Sequence, residues 1–315
     1  MGRRMVPSTR MIPRRTAVPA LQVLTVLAIA AVAIGCNGTL PFGSTSDASA
    51  TQAADRIHQQ ANDALARWAD AVKQSGGATI TFVGELTGQI GDFEAAVAGN
   101  DKVALQSGMV IAPTPLSDAA PSRGKVAWVN GSSIDVDVLS ASKALADLVA
   151  DGGNGGDCAD CTPLVVTDAN LATGLVQTSV GPANVPVWVF TIKGTAVRVT
   201  RVAVDPSVTV EPPPYNADNP PVGISIDAAY GKQDSRKLSV SFVGCAADDY
   251  VAEAVESDLA IVVIIDRQAP QSSMAPGCAR LVGASRTLTV TLADPLGKRA
   301  VLEVRQGLPV PVNPS

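Results

Sequence analysis

Apolar residues follow three rhythms along this 315-residue chain. Over residues 17–34 they form a nearly unbroken run, interrupted by Gln22 and Thr25 and with Pro19 near its start. Over residues 51–73 they recur at three and four, so that Ile57, Ala61, Leu65, Trp68 and Val72 share one face of a predicted helix. Asp63 and Arg67 stand four apart on the opposite face, spaced to pair. Gly76-Gly77 then ends the helix. Further along, alternation at two takes over, the period of strands with one wet face.

Between these regimes the pattern predicts shorter elements. Residues 79–86 read as a strand, 93–98 as a short helix, and 108–111 and 126–129 as short strands. Ile134, Val136 and Val138 alternate with Asp135 and Asp137, which predicts a strand with a polar face. Ser140 is placed to cap a helix running to Leu148, with Ala141, Leu145 and Leu148 inward. A Gly-rich loop over 151–157 leads to Cys158, and Pro163 closes it. Residues 164–167 and 175–179 look extended. Residues 187–192 place Trp188, Phe190 and Ile192 on one face and Val187 and Val189 on the other, a strand buried on both sides. Lys193-Gly194 turns the chain into a strand over 196–204, whose apolar phase shifts near Thr200 and suggests a bulge. Six prolines over 205–221 interrupt every pattern and predict a stiff linker or a long crossing loop. Beyond it Leu238, Val240 and Phe242 face inward, 259–265 is an unbroken β-branched run, Leu288, Val290 and Leu292 alternate with threonines, and 301–304 is a last strand. Short strands separated by turns predict a sandwich. The fold class expected is α+β: a helix-plus-sheet domain over 51–204, the Pro-rich linker 205–221, and a mostly β, sandwich-like domain over 222–315.

Composition changes the picture first at the amino end. Arg3, Arg4, Arg10, Arg14 and Arg15 precede the apolar run, with no acidic residue before Cys36. A basic start, an apolar stretch and small residues at a cut site define a secretory signal peptide. The run is also long enough for a membrane-spanning helix. Ala33-Ile34-Gly35-Cys36 decides between them. The quartet resembles the bacterial lipobox, in which the cysteine thiol accepts a diacylglyceryl group and becomes the new N-terminus, with palmitate expected among the acyl chains. Ala33 departs from the usual Leu, Val or Ile, whereas Gly35 and Cys36 fit. Residues 1–35 are therefore expected to be a signal peptide, 36–50 a Gly/Ser/Thr/Asp-rich flexible tether, and Cys36 the lipidated N-terminus on the outer face of the cell membrane. Two acyl chains suffice for stable anchoring. Arg14-Arg15 matches a twin-arginine signal poorly, and Met11 offers an alternative start.

The leader carries five of the 24 basic residues and none of the 29 acidic ones, which leaves a net charge of −10 on the mature 280 residues. That charge argues against nucleic acid as a partner, since phosphates call for clustered Lys and Arg. With Cys36 lipidated, Cys158, Cys161, Cys245 and Cys278 remain, an even number suited to an oxidising compartment. Pairing within each domain gives Cys158–Cys161 and Cys245–Cys278. Loop closure assigns them about 2 and about 4 kcal/mol respectively.

Three stretches carry a wider resemblance: Cys158-Ala-Asp-Cys161-Thr-Pro-Leu164, Gly181-Pro-Ala-Asn-Val-Pro-Val-Trp-Val-Phe190 and Asp294-Pro-Leu-Gly-Lys-Arg-Ala-Val-Leu302. They are similar to stretches in an uncharacterised family of secreted actinobacterial lipoproteins. The resemblance implies export and anchoring, and implies no activity.

Candidate chemistry is thin. Cys158 and Cys161 have thiol–disulfide exchange spacing, but extended chain follows where such a site needs a helix N-terminus. Ser140-Ala-Ser-Lys143 matches the SxxK of penicillin-binding proteins and β-lactamases, without the Ser-Asp-Asn and Lys-Thr-Gly elements those enzymes also need. Asp135 and Asp137 lie about 6.7 Å apart by strand rise, within range for glycoside hydrolysis. Asp151, Asn154, Asp157 and Asp160 offer oxygens to calcium in no EF-hand spacing, and four cysteines without paired CxxC spacing make a poor zinc site. His58 is the single histidine, near the tether, so any Ser–His or Cys–His site would have to recruit it. No metal, cofactor or catalytic residue is expected. The expected function is a membrane-anchored extracytoplasmic lipoprotein that binds an envelope protein or small ligand without catalysis. The alternatives are a thiol–disulfide protein using Cys158 and Cys161, and a cell-wall acyl enzyme using Ser140.

Overall fold

A computed structural model describes residues 45–78, 80–93, 98–121, 123–152, 158, 160–214, 222–246, 248–268 and 283–315. The lipobox with Cys36, Asn154, Asp157 and Cys278 lie outside the described residues. The protein is α+β, with helices and a mixed sheet first and β-rich chain after. Among the described residues no helix is long and apolar enough to cross a membrane.

The first sheet is built around β6 (Ala183–Ile192), the strand predicted to be buried on both faces. Trp188, Phe190 and Ile192 enter one core, and Val185, Val187 and Val189 enter the other. β5 (Leu164–Val176) runs antiparallel along one edge of β6 from Val176↔Ala183 to Val166↔Ile192. The sequence pattern predicts only extended pieces over 164–167 and 175–179 here, with nothing assigned between them. The ladder to β6 carries the strand through, with the register shifting between Val166 and Asp168. The other edge of β6 pairs with β7 (Arg198–Val202) and, at Ala183 and Asn184, with β3 (Gly124–Trp128). β1 (Thr87–Ile90) pairs outside β7, β4 (Ser133–Val136) outside β3, and the short β2 (Val110–Ile111) runs parallel to the start of β5.

α2 (Ala98–Gln106) and α3 (Ala141–Gly152) cover the Trp188 face. α3 begins where the cap residue predicted: Ser140 Oγ accepts the Lys143 N–H at 3.2 Å, and Ala141, Ala144, Leu145 and Leu148 are buried. Two local expectations fail. Among the described residues of the strand expected over 79–86, Ile80 and Phe82 make single bridges, to Thr209 and Thr178, and the ladder starts only at Thr87. Most of the helix expected over 93–98 lies outside the described residues; Phe93 is a core side chain, and α2 covers Ala98–Gln106. No bulge breaks β7, whose register to β6 is continuous from Arg198 to Val202. The apparent phase shift at Thr200 arises because a charged residue, Arg201, stands on the inward face between Val199 and Ala203.

The C-terminal half is a sandwich, as predicted. One sheet joins β10 (Tyr250–Glu256), β11 (Ala260–Arg267) and β13 (Ala300–Glu303), with β11 and β13 parallel. The other joins β12 (Gly283–Thr291), β9 (Lys237–Cys245), β8 (Ala228–Tyr230) and β14 (Val312–Asn313). Leu238, Val240 and Phe242 of β9 face Ile261, Val263 and Ile265 of β11 across a shared core. The alternate residues Val262 and Ile264 face outward and are also buried. Their cover is α1 (Thr45–Gln74), whose stripe of Ile57, Ala61, Leu65 and Trp68 lies on them. Gln60 fastens the helix: its Nε2 donates to the carbonyls of Val304 (2.7 Å) and Val222 (3.0 Å). The Asp63–Arg67 pair does not form. Asp63 accepts from Gln59, and Arg67 reaches the Gln306 carbonyl.

Candidate functional site

Arg201 is the residue whose position most needs explaining. It sits on β7 opposite Thr87 of β1, with its side chain only 8% exposed. Burying a guanidinium is costly unless it is paired and hydrogen-bonded. Nη1 donates to Thr87 Oγ1 at 3.0 Å, and Nη2 lies 2.6 Å from Asp151 Oδ2. Asp151 belongs to the last turn of α3, and its side chain is 59% exposed. The ion pair therefore joins a buried cation to an anion at the surface.

Arg201 forms the floor of a cleft of about 810 Å³ between β1, α2 and the end of α3. Leu86, Leu105 and Leu148 give it apolar walls. Glu85 and Lys102 stand at its rim, and neither has an ion-pair partner among the described residues. Gly152 lets α3 end tightly against the turn after α2: a Cβ there would fall 2.5 Å from Gly108 N. The volume lies in the range of small-ligand pockets, and apolar walls around a few polar groups are their usual chemistry. Sequence reading missed this site. Its one signal was the charged residue that interrupts the apolar phase of β7.

A smaller recess of about 370 Å³ lies where the β3–β4 turn meets the C-terminal sheet. Its buried donors are committed. Trp128 Nε1 donates to Thr178 Oγ1 at 3.0 Å, and Arg299 binds Glu256 at 2.7 Å together with the carbonyls of Asp294 and Pro295. Burial pushes the Glu256 carboxyl up, but the Ala293 N–H, the Arg299 guanidinium and the Asp294 N–H outweigh it and hold it below the usual carboxylate value. A third charged knot closes one end of the sandwich. Asp248 Oδ2 lies 2.6 Å from Arg267 Nε, out of line for a hydrogen bond, so the pair is held by charge. Arg286 caps the Asp248 and Ala246 carbonyls and lies over the Tyr250 ring.

The residues singled out from the sequence do not assemble into a catalytic centre. Cys158 and Cys161 are disulfide-bonded with Cα atoms 5.4 Å apart. They precede a strand, so no helix N-terminus stabilises a thiolate there. Thr162 is tied to α2 through both ends of the Asn100 amide, which fixes the bridge to the body. Cys245 is disulfide-bonded, and Cys278, its expected partner, lies outside the described residues. Lys143 Nζ is held by Asp147, one turn on in the helix, rather than by Ser140. Asp135 and Asp137 are exposed and pair with Lys125 and Arg123 as the wet face of a sheet edge. His58 faces Glu253 on β10 at 2.8 Å, in the C-terminal layers rather than beside Ser140 or Cys158. Among the described residues no three His, Cys, Asp or Glu side chains form a metal-binding group. Comparison with protein-family models, curated proteins and solved structures finds no match for this chain.

Proposed function

We propose that this protein is a lipid-anchored, extracytoplasmic binding module, held to the outer face of the membrane through Cys36, whose ligand occupies the cleft over Arg201. The cleft carries the reading. A buried cation with a surface counter-ion, set under apolar walls, is an arrangement that burial alone disfavours and ligand binding rewards. The leader, the Gly35-Cys36 junction and the flexible tether support the anchoring half, as does the resemblance to secreted lipoproteins. Nothing in the reading requires catalysis, since Ser140 serves as a helix cap and Cys158–Cys161 staples the start of β5.

The test uses the mature protein with methyl-labelled leucines, because Leu86, Leu105 and Leu148 line the cleft. A mixed fragment library should shift these three methyls together. Leu105→Trp, which fills the cleft from α2, should abolish the shifts while leaving the remaining methyl spectrum in place. Fragments that move only leucines of the C-terminal sandwich, such as Leu238 and Leu302, would refute the assignment of the cleft. Anchoring is read separately. Wild-type protein should partition with membranes and carry acyl mass on Cys36, and Cys36→Ser should do neither.

A further inference from the structure

We infer that the ligand of this cleft is a small carboxylate, and that Asp151 holds its place on Arg201; the inference rests on the cleft being the binding site. Three observations lead to it. The group now paired with Arg201 Nη2 is itself a carboxylate, through one oxygen at 2.6 Å, while Nη1 is taken by Thr87, so the pocket floor already seats a carboxylate oxygen. That carboxylate is poorly held. Asp151 lies in the last turn of α3, where the carbonyl end of the helix disfavours negative charge, and the turn carries no basic residue to offset it. Its side chain is already mostly in water, so releasing it costs little desolvation. Arg201 has the opposite constraint: buried in the sheet, it must keep an anion.

A free carboxylate entering the cleft satisfies both residues. It replaces Asp151 on Arg201, and Asp151 swings into solvent. Lys102, unpaired at the rim among the described residues, adds a second positive charge on the entry side. The chain behind the carboxylate lies against Leu86, Leu105 and Leu148. The ligand is therefore an aliphatic or aromatic acid rather than a neutral amide. Binding is an exchange of one carboxylate for another and leaves the charge on the floor unchanged.

The probes are hexanoate, hexanamide and hexylphosphonate, titrated into the mature protein with leucine methyl shifts as the readout. Hexanoate should move the cleft methyls saturably, hexanamide should not, and hexylphosphonate, whose head is bulkier than the carboxylate it would replace, should bind more weakly. Asp151→Asn removes the internal competitor and should tighten hexanoate about tenfold. The same variant should gain thermal stability from hexanoate but not from hexanamide, because the acid restores the missing counter-ion. Should Asp151→Asn not fold, Lys102→Ala on the exposed face of α2 gives a second reading, with hexanoate weakened about threefold and neutral fragments unaffected. Equal binding of hexanamide or hexylphosphonate overturns the carboxylate assignment, as does an Asp151→Asn protein with unchanged affinity. Neutral fragments that shift the cleft methyls while hexanoate leaves them still would overturn this inference and keep the binding cleft. Silence from both classes removes both.

Discussion

The charged residues of this protein do structural work where they are enclosed and little where they are not. Glu256 and Arg299 are 17% and 10% exposed and join the end of β10 to the turn before β13. Glu256→Gln keeps the shape but leaves the guanidinium without its anion, and should cost about 2 kcal/mol in denaturant unfolding. Because the folded carboxyl is held below its unfolded value, its contribution is complete above the unfolded carboxylate pKa of about 4.3 and is lost as pH falls through and below it. Wild-type stability should therefore drop on acidification below roughly pH 4.5 more steeply than that of Glu256→Gln. A parallel acid limb in the two proteins would contradict the assignment. The His58–Glu253 pair is half exposed at both ends, and removing it should change stability by no more than about 0.5 kcal/mol.

At the scale of elements, two joints carry disproportionate weight. The turn after β13 brings Gly307, at φ +70°, against α1, where a Cβ would lie 2.8 Å from Ala64 Cβ. Gly307→Ala adds a left-handed strain to an overpacked contact and should cost about 2 kcal/mol or more, measured by thermal unfolding. The other joint is Cys158–Cys161. Its short loop limits the entropic gain, so Cys158→Ser with Cys161→Ser should lose about 2 kcal/mol and retain the fold. Elements with a strong period were legible in the sequence: the α1 stripe, the two-faced β6, the Ser140 cap and the alternating β9 and β12 all stand where their spacing puts them. The failures share a cause. The middle of β5, mostly exposed from Thr167 to Thr173, carries only a weak pattern and is a strand because β6 offers it a ladder. The phase break in β7 is a buried arginine, whose role depends on Asp151 and Thr87 from distant parts of the chain. Single-strand periodicity registers such a residue only as an error, so the cleft was the least visible part of the protein.

For the whole molecule, the partner of α1 is the feature no local pattern could reveal. Its stripe was plain, but β11 and β13 lie some two hundred residues downstream. They are covered by it because β11 is apolar on both sides and one side would otherwise face water. Deleting residues 45–74 should leave Val262, Ile264 and Leu302 bare, and the shortened chain should bind a hydrophobic dye and associate. A monodisperse, dye-silent product would show that the helix is dispensable.

This pairing of the first helix with the last strands also sets an order of events. A ribosome releases α1 long before β13 exists, so the helix leaves the exit tunnel with its docking surface unmade. The contacts of Gln60 with Val222 and Val304 can close only when the chain through Val304 is out. Such high contact order slows folding and favours a long-lived open nascent chain. A segment that must travel before it settles is well served by a helix that waits for strands made long after it.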